Sequence, residues 1–114
     1  MRHKMKLKCN CGNVISDGTD ALPYKGYILA DEDLFPTFDR LDQLLTTVGD
    51  RGHVVDEDFT DARRSHPPTR QIYQCSDCGR ILIWDSAISG AFSFRPEDDD
   101  VNKRLLEGRY KAAD

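Results

Sequence analysis

Two phrases of the sequence share one pattern, and a long segment separates them. LKCNCGNVISD begins at Leu7 and YQCSDCGRILIWD begins at Tyr73. In each phrase, two cysteines one or two residues apart precede a glycine, so both sulfurs can point at one ion while the glycine closes the turn. A structural Zn²⁺ takes four ligands in a tetrahedron, and one such turn supplies two. The repeat therefore predicts one metal site built from both phrases.

Each Cys-Gly turn with its flanking strands is called a knuckle below, and the knuckles are predicted at 7–17 and 72–85. A structural zinc site contributes on the order of 10 kcal/mol to folding at neutral pH. That contribution matters here because only 39% of the residues are apolar, below the usual figure of about 45–50%. The predicted ligands are Cys9, Cys11, Cys75 and Cys78.

The letters CNCG (9–12) and CSDCG (75–79), with their predicted hairpins, resemble the zinc ribbon, or rubredoxin-like, architecture of small bacterial Cys₄ proteins. The resemblance implies an α+β fold with a small antiparallel sheet. The chain departs from the ribbon pattern in having Cys-x-Cys in the first knuckle. Its intervening stretch is also longer than the usual 15–20 or so residues. We therefore interpret 20–70 as an insertion that contains a helix, within a single domain spanning 1–114.

Other chemistry of the cysteines is disfavoured. A redox Cys-x-x-Cys normally precedes a helix N-terminus, which lowers the thiolate pKa, whereas CSDC precedes a strand-like run. Four cysteines close the coordination sphere and leave no position for the water of a catalytic zinc. Iron in a rubredoxin-like site and disulfides are the remaining alternatives.

Two helices are predicted outside the knuckles. Pro36 in the first turn and Gly49 at the C-terminus bound a helix over 37–48. A second, short helix is predicted at 97–110, and residues 49–70 are expected to be exposed loop apart from a short element over VVDEDF (54–59). The first helix has an apolar face that should pack in the core, formed by Phe38, Leu41, Leu44, Leu45 and Val48.

Charge and hydropathy restrict the classes of function. The net charge of −4 argues against broad binding to phosphate backbones. No apolar run approaches the roughly 20 residues of a membrane helix, and no apolar region follows the basic N-terminus as in a secretory signal. We expect a cytoplasmic protein, a compartment where zinc thiolates persist and disulfides rarely do.

No catalytic constellation is evident, so we expect no enzymatic activity. The histidines lack metal-ligand spacing, and His53, although close to several acidic residues, is interpreted as part of a solvated turn. Tyr73 and Trp84 are interpreted as core or site-shielding residues. The expected function is that of a zinc-binding protein that acts by binding another protein, and acidic toxin-immunity proteins that neutralise basic nuclease toxins are one class with this profile.

Nucleic-acid binding of the zinc-ribbon or transcription-associated kind is the alternative function. It would require the basic residues to share one face and binding to fall steeply with salt. The candidate phosphate contacts are Lys4, Lys6, Lys8, Arg63, Arg64 and Arg70.

Overall fold

Antiparallel strand pairs flank both Cys-Gly turns in the computed structural model, which describes residues 5–110. Two small sheets and two helices confirm the predicted α+β class. One sheet has the order β1-β2 and the other β3-β4-β5-β6. The elements, in chain order, are β1 (Met5–Lys8), β2 (Val14–Asp17), β3 (Lys25–Leu29), α1 (Asp31–Arg51), α2 (Asp56–Arg64), β4 (Thr69–Gln74), β5 (Ile81–Asp85) and β6 (Gly90–Phe94).

The chain divides into two compact units. One comprises the described residues up to Ile28 together with those from Arg70 onward, and the other comprises Leu29–Thr69. The first unit contains both knuckles, and the second contains both helices. That the whole chain is one zinc-ribbon-containing domain stays a prediction.

The core of the first unit is built around the knuckles. In the hairpin β1-β2, Leu7 lies opposite Ile15, and in the pair β4-β5, Tyr73 lies opposite Leu82. All four side chains are buried and form one cluster with Cys9 and Cys75. The apolar positions that precede and follow each Cys-Gly turn thus enclose the first cysteine of that turn.

The second unit is a helical hairpin, with α2 in a segment that the sequence predicted to be mostly loop. The Arg51 guanidinium bonds both carboxylate oxygens of Asp58, at 2.7 and 3.2 Å. Asp58 also accepts a hydrogen bond from the N–H of Val55, at 2.8 Å, and so caps α2. Acidic residues in the first turn and basic residues in the last favour this helix through its dipole.

The predicted bounds and packing of α1 are wrong. Pro36 lies inside the helix, which begins earlier because three acidic residues from Asp31 favour its N-terminus. The left-handed Gly52, not Gly49, ends it, at φ 86°. None of its residues is buried, and Phe38 and Leu45 are more than half exposed. The shorter helix α2 contains only one large apolar side chain, Phe59, and this side chain is itself exposed, so α2 does not bury the apolar face of α1.

The helix predicted at 97–110 is also wrong, because this segment forms turns. The buried Gln74 provides hydrogen bonds that replace those of a helix. Its amide nitrogen donates to the carbonyl of Asn102 at 2.7 Å, and its amide oxygen accepts from the N–H of Leu105 at 2.8 Å. Neither helix of the described residues is long and apolar enough to cross a membrane.

Candidate metal centre

All four predicted ligands meet at one place. Their sulfur atoms lie within 4.8 Å of one another. The distance between Sγ atoms is 3.5 Å both for Cys9 and Cys78 and for Cys11 and Cys75, so each close pair joins the two knuckles. Tetrahedral zinc, with Zn–S bonds of about 2.3 Å, requires sulfurs about 3.8 Å apart. A disulfide requires about 2.05 Å, so the cluster fits a metal ion and its cysteines are free thiols.

The two turns use the same backbone hydrogen bonds although one is a residue shorter. In the first, the N–H of Cys9 donates to the carbonyl of Asn13 at 2.8 Å, and that of Gly12 donates to Cys9 at 2.9 Å. In the second, Cys75 donates to Arg80 and Gly79 to Cys75, both at 2.9 Å. The two glycines have φ angles of 100° and 82°, which L-residues rarely adopt.

The centre has a buried and an exposed side. Cys9 and Cys75 are buried among the core side chains, Cys78 is half-buried and Cys11 is exposed. Four thiolates complete a tetrahedron and leave no ligand position for water or substrate. The arrangement is therefore suited to holding a metal ion and not to activating a metal-bound water.

Two side chains donate hydrogen bonds to the sulfurs. Asn13 Nδ2 lies 3.4 Å from Cys75 Sγ, and Arg80 Nη1 lies 3.4 Å from Cys78 Sγ. Burial disfavours the Cys75 thiolate, but the backbone N–H of Cys78 and the Asn13 amide outweigh it and lower the pKa of Cys75 to about 6. The pKa of Cys78 is also lowered, because the backbone N–H of Arg80 outweighs burial.

Cys11 differs from Cys75 and Cys78 in that its pKa is raised. The backbone N–H of Asn13 acts to lower its pKa, but partial loss of solvent around this otherwise exposed side chain and hydrogen bonds with the other three cysteines raise it to about 12. Four thiolates at this distance repel one another. A cation is therefore needed for all four to ionise together, as metal ligation requires.

A cluster of polar side chains on strands β2, β3 and β4 was not predicted from the sequence. Lys25 Nζ lies 2.6 Å from Asp17 Oδ2, and the Tyr73 hydroxyl donates to the same carboxylate. The Lys25 ammonium also lies 5.4 Å from the centre of the Tyr27 ring. Burial acts to raise the pKa of Asp17, but Lys25 and Tyr73 lower it overall. This Asp17–Lys25–Tyr73 cluster connects β2, β3 and β4.

Of the other residues considered from the sequence, the two aromatic residues pack in the core around the cysteines, and the described histidines do not belong to the cysteine cluster. Tyr73 is fully buried and Trp84 packs against the same core, as predicted for core residues. His53 and His66 are exposed and belong to no metal-binding group among residues 5–110. His3 and Lys4 lie outside the described residues. Asn13 and Arg80 were missed, although a signal existed: each directly follows a knuckle glycine.

The chain matches the model of a protein family. A family model described as "Domain of unknown function (DUF8617)" matches residues 5–98, which include both knuckles and the segment between them. No curated protein and no solved structure matches the chain.

Proposed function

This chain belongs to the DUF8617 family, and we propose that it is a structural-zinc protein that acts without catalysis, by binding another protein. The observation that carries the proposal is the closed cluster of four thiols. The resemblance to zinc ribbons supports zinc, and so do the lowered pKa values of Cys75 and Cys78, because a metal ligand must be a thiolate. Zinc and iron both accept four thiolates, and visible absorption distinguishes them.

The second unit supports the protein-binding part of the proposal. Leu29–Thr69 contains ten Asp and Glu residues against four Arg, a net charge of −6 with His neutral. It also exposes several large apolar side chains. Exposed apolar side chains often mark a protein interface, and those near the centre of the interface anchor the partner. These are Phe35, Phe38, Leu45, Val54 and Phe59.

Neutralisation of a toxin is the form of this function that we favour. An acidic protein that binds a basic nuclease gains both association rate and specificity from complementary charge. A structural metal would hold the fold rigid while the acidic helical unit provides the contact surface. Nucleic-acid binding is the second candidate, because Lys6 and Lys8 are both exposed on β1, two residues apart and hence on one face of the strand.

A tagged form of the chain recovered from its native cells without chelator tests the function. We expect one stoichiometric protein that remains bound after nuclease treatment, and a nuclease toxin as partner would establish the immunity role. Recovery of nucleic acid that is lost as salt is raised would instead favour the second candidate. Recovery of the chain alone would contradict both.

A further inference from the structure

A row of side chains on α1 combines apolar and acidic character. Its members recur every three or four residues, which places them on one side of the helix. Phe35 is 70% exposed, Phe38 51% and Leu45 67%. The two phenyl rings pack edge to face, with centroids 6.5 Å apart, so they present one continuous apolar patch. This row, the α1 stripe below, consists of Asp31, Phe35, Phe38, Asp42 and Leu45.

The carboxylates of the stripe are available for a partner. Asp31 and Asp42 are exposed and form no ion pair within residues 5–110. Arg40 lies two positions after Phe38 and therefore points away from the stripe, while Arg51 is bonded to Asp58. No basic side chain of α1 thus neutralises the carboxylates of the stripe, and the stripe is negatively charged.

We propose that the α1 stripe is the docking surface for a basic protein, whose apolar side chains contact the phenyl rings while its Lys or Arg side chains pair with Asp31 and Asp42. This inference rests on the proposed function and specifies its partner. Charge complementarity selects the occupant, since the stripe lies in a unit of net charge −6. A second copy of this chain would bring two acidic stripes together, which repulsion disfavours.

A synthetic amphipathic helical peptide of leucine and lysine is the first probe, with a leucine–glutamate peptide of the same apolar pattern as its counterpart. Titration into the full chain, followed by fluorescence anisotropy, should show binding of the lysine peptide only, weakened as salt screens the charges. Phe38→Ser and Asp42→Lys should each weaken this binding at least about tenfold, as expected at an interface centre.

Matched controls lie elsewhere on the chain. Phe92→Ser changes a phenylalanine on β6 that is as exposed as Phe38, and Asp98→Lys makes the same charge change in the C-terminal turns. Neither should alter binding by more than about twofold if the stripe is the docking surface. Equal weakening by the controls, or equal binding of the glutamate peptide, would overturn the proposal.

Photo-crosslinking in native cells separates this inference from the function on which it rests. A photoreactive phenylalanine at position 38 should crosslink to a basic protein, whereas the same group at position 92 should not. The chain could recover a partner that crosslinks equally from both positions, or that Phe38→Ser recovers equally well. Either result would leave the protein-binding function intact and would contradict the α1 stripe as the docking surface. Crosslinking of position 38 to a second copy of the chain would also overturn it. Absence of any bound protein would overturn both.

Discussion

Asn13 and Arg80 occupy the same position in the two Cys-Gly turns and make the same two kinds of hydrogen bond. The carbonyl of each accepts from the N–H of the first cysteine of its turn. The side chain of each donates to a cysteine sulfur, Asn13 to Cys75 and Arg80 to Cys78. The first contact closes the turn, and the second stabilises the thiolate form that binds a metal. The two knuckles thus repeat their ligands, their backbone and their supporting donors.

Arg80→Met should leave the fold intact and weaken metal binding by about 10–100-fold, the usual effect of losing a partner to a ligand. Loss of the guanidinium raises the thiol pKa values, so protons displace the metal at a higher pH. The pH midpoint of zinc release, followed with a chromophoric chelator, should therefore move upward. Arg70→Met removes an exposed arginine from β4 and should leave the midpoint unchanged; an identical shift in both variants would contradict the role of Arg80.

Cys78→Ser should yield a protein that does not retain zinc. Because metal binding and folding are coupled, its free energy of unfolding should fall by several kcal/mol, on the order of the metal's contribution. Metal analysis and urea denaturation measure the two effects. Ser76→Ala, at an exposed position of the same turn, is the control. Full zinc retention by Cys78→Ser would show that this sulfur is not a ligand.

The Asp17–Lys25–Tyr73 cluster should contribute to stability through its half-buried ion pair. Lys25→Met leaves the Asp17 carboxylate without its cation, at an expected cost of about 1–3 kcal/mol at neutral pH. Burial disfavours the ammonium, but Asp17 outweighs it and raises the pKa of Lys25 above its usual 10.5. The stability difference should therefore be constant up to pH 10.5 and shrink as the pH rises through the raised pKa.

Urea denaturation of the native chain and Lys25→Met across alkaline pH measures this dependence. Alkaline conditions are chosen because zinc thiolates are not lost to protons there. A difference that grew above pH 10.5 would have the opposite sign and would contradict the assignment. Lys8→Met, on the exposed side of β1, should show no such dependence.

Gly79→Ala should destabilise the chain more than Gly12→Ala does. Both glycines are left-handed, which costs an alanine about 1–2 kcal/mol. An added methyl at Gly79 would also collide with Val101 Cγ1, whereas no atom of residues 5–110 lies within 4 Å of the methyl that alanine would place at Gly12. The further Val101→Ala change should recover part of the loss, measured as a double-mutant cycle of unfolding free energies. Equal effects at both glycines would show that the segment around Val101 does not pack on the second knuckle.

The knuckles and their metal ligands could be predicted from the sequence because neighbouring residues determine the structure of each turn. Cysteine spacing and the following glycine set the turn, and the need for four ligands pairs one turn with the other across any length of chain. The supporting role of Asn13 and Arg80 was also encoded locally, in the residue that follows each glycine. It was overlooked because a polar residue at that point is compatible with any turn.

The helices and the C-terminal segment depend on information that is not local. Pro36 was interpreted as a helix start, but the acidic residues from Asp31 support an earlier one. The apolar face of α1 predicted burial, yet periodicity cannot say whether a covering surface exists within the chain. At 97–110 the pattern of charges favoured a helix, while hydrogen bonds from the distant Gln74 hold the segment in turns.

The most direct test of the central claim is the metal content of the chain. The chain is purified from its native cells without chelators and without steps that oxidise thiols. Native mass spectrometry with elemental analysis should give one zinc ion per chain, four unmodified cysteines and no visible absorption. One iron ion per chain with visible absorption would preserve the four-thiolate site and contradict the assignment of zinc. A metal-free folded chain, or one whose cysteines form disulfides, would contradict the metal centre itself.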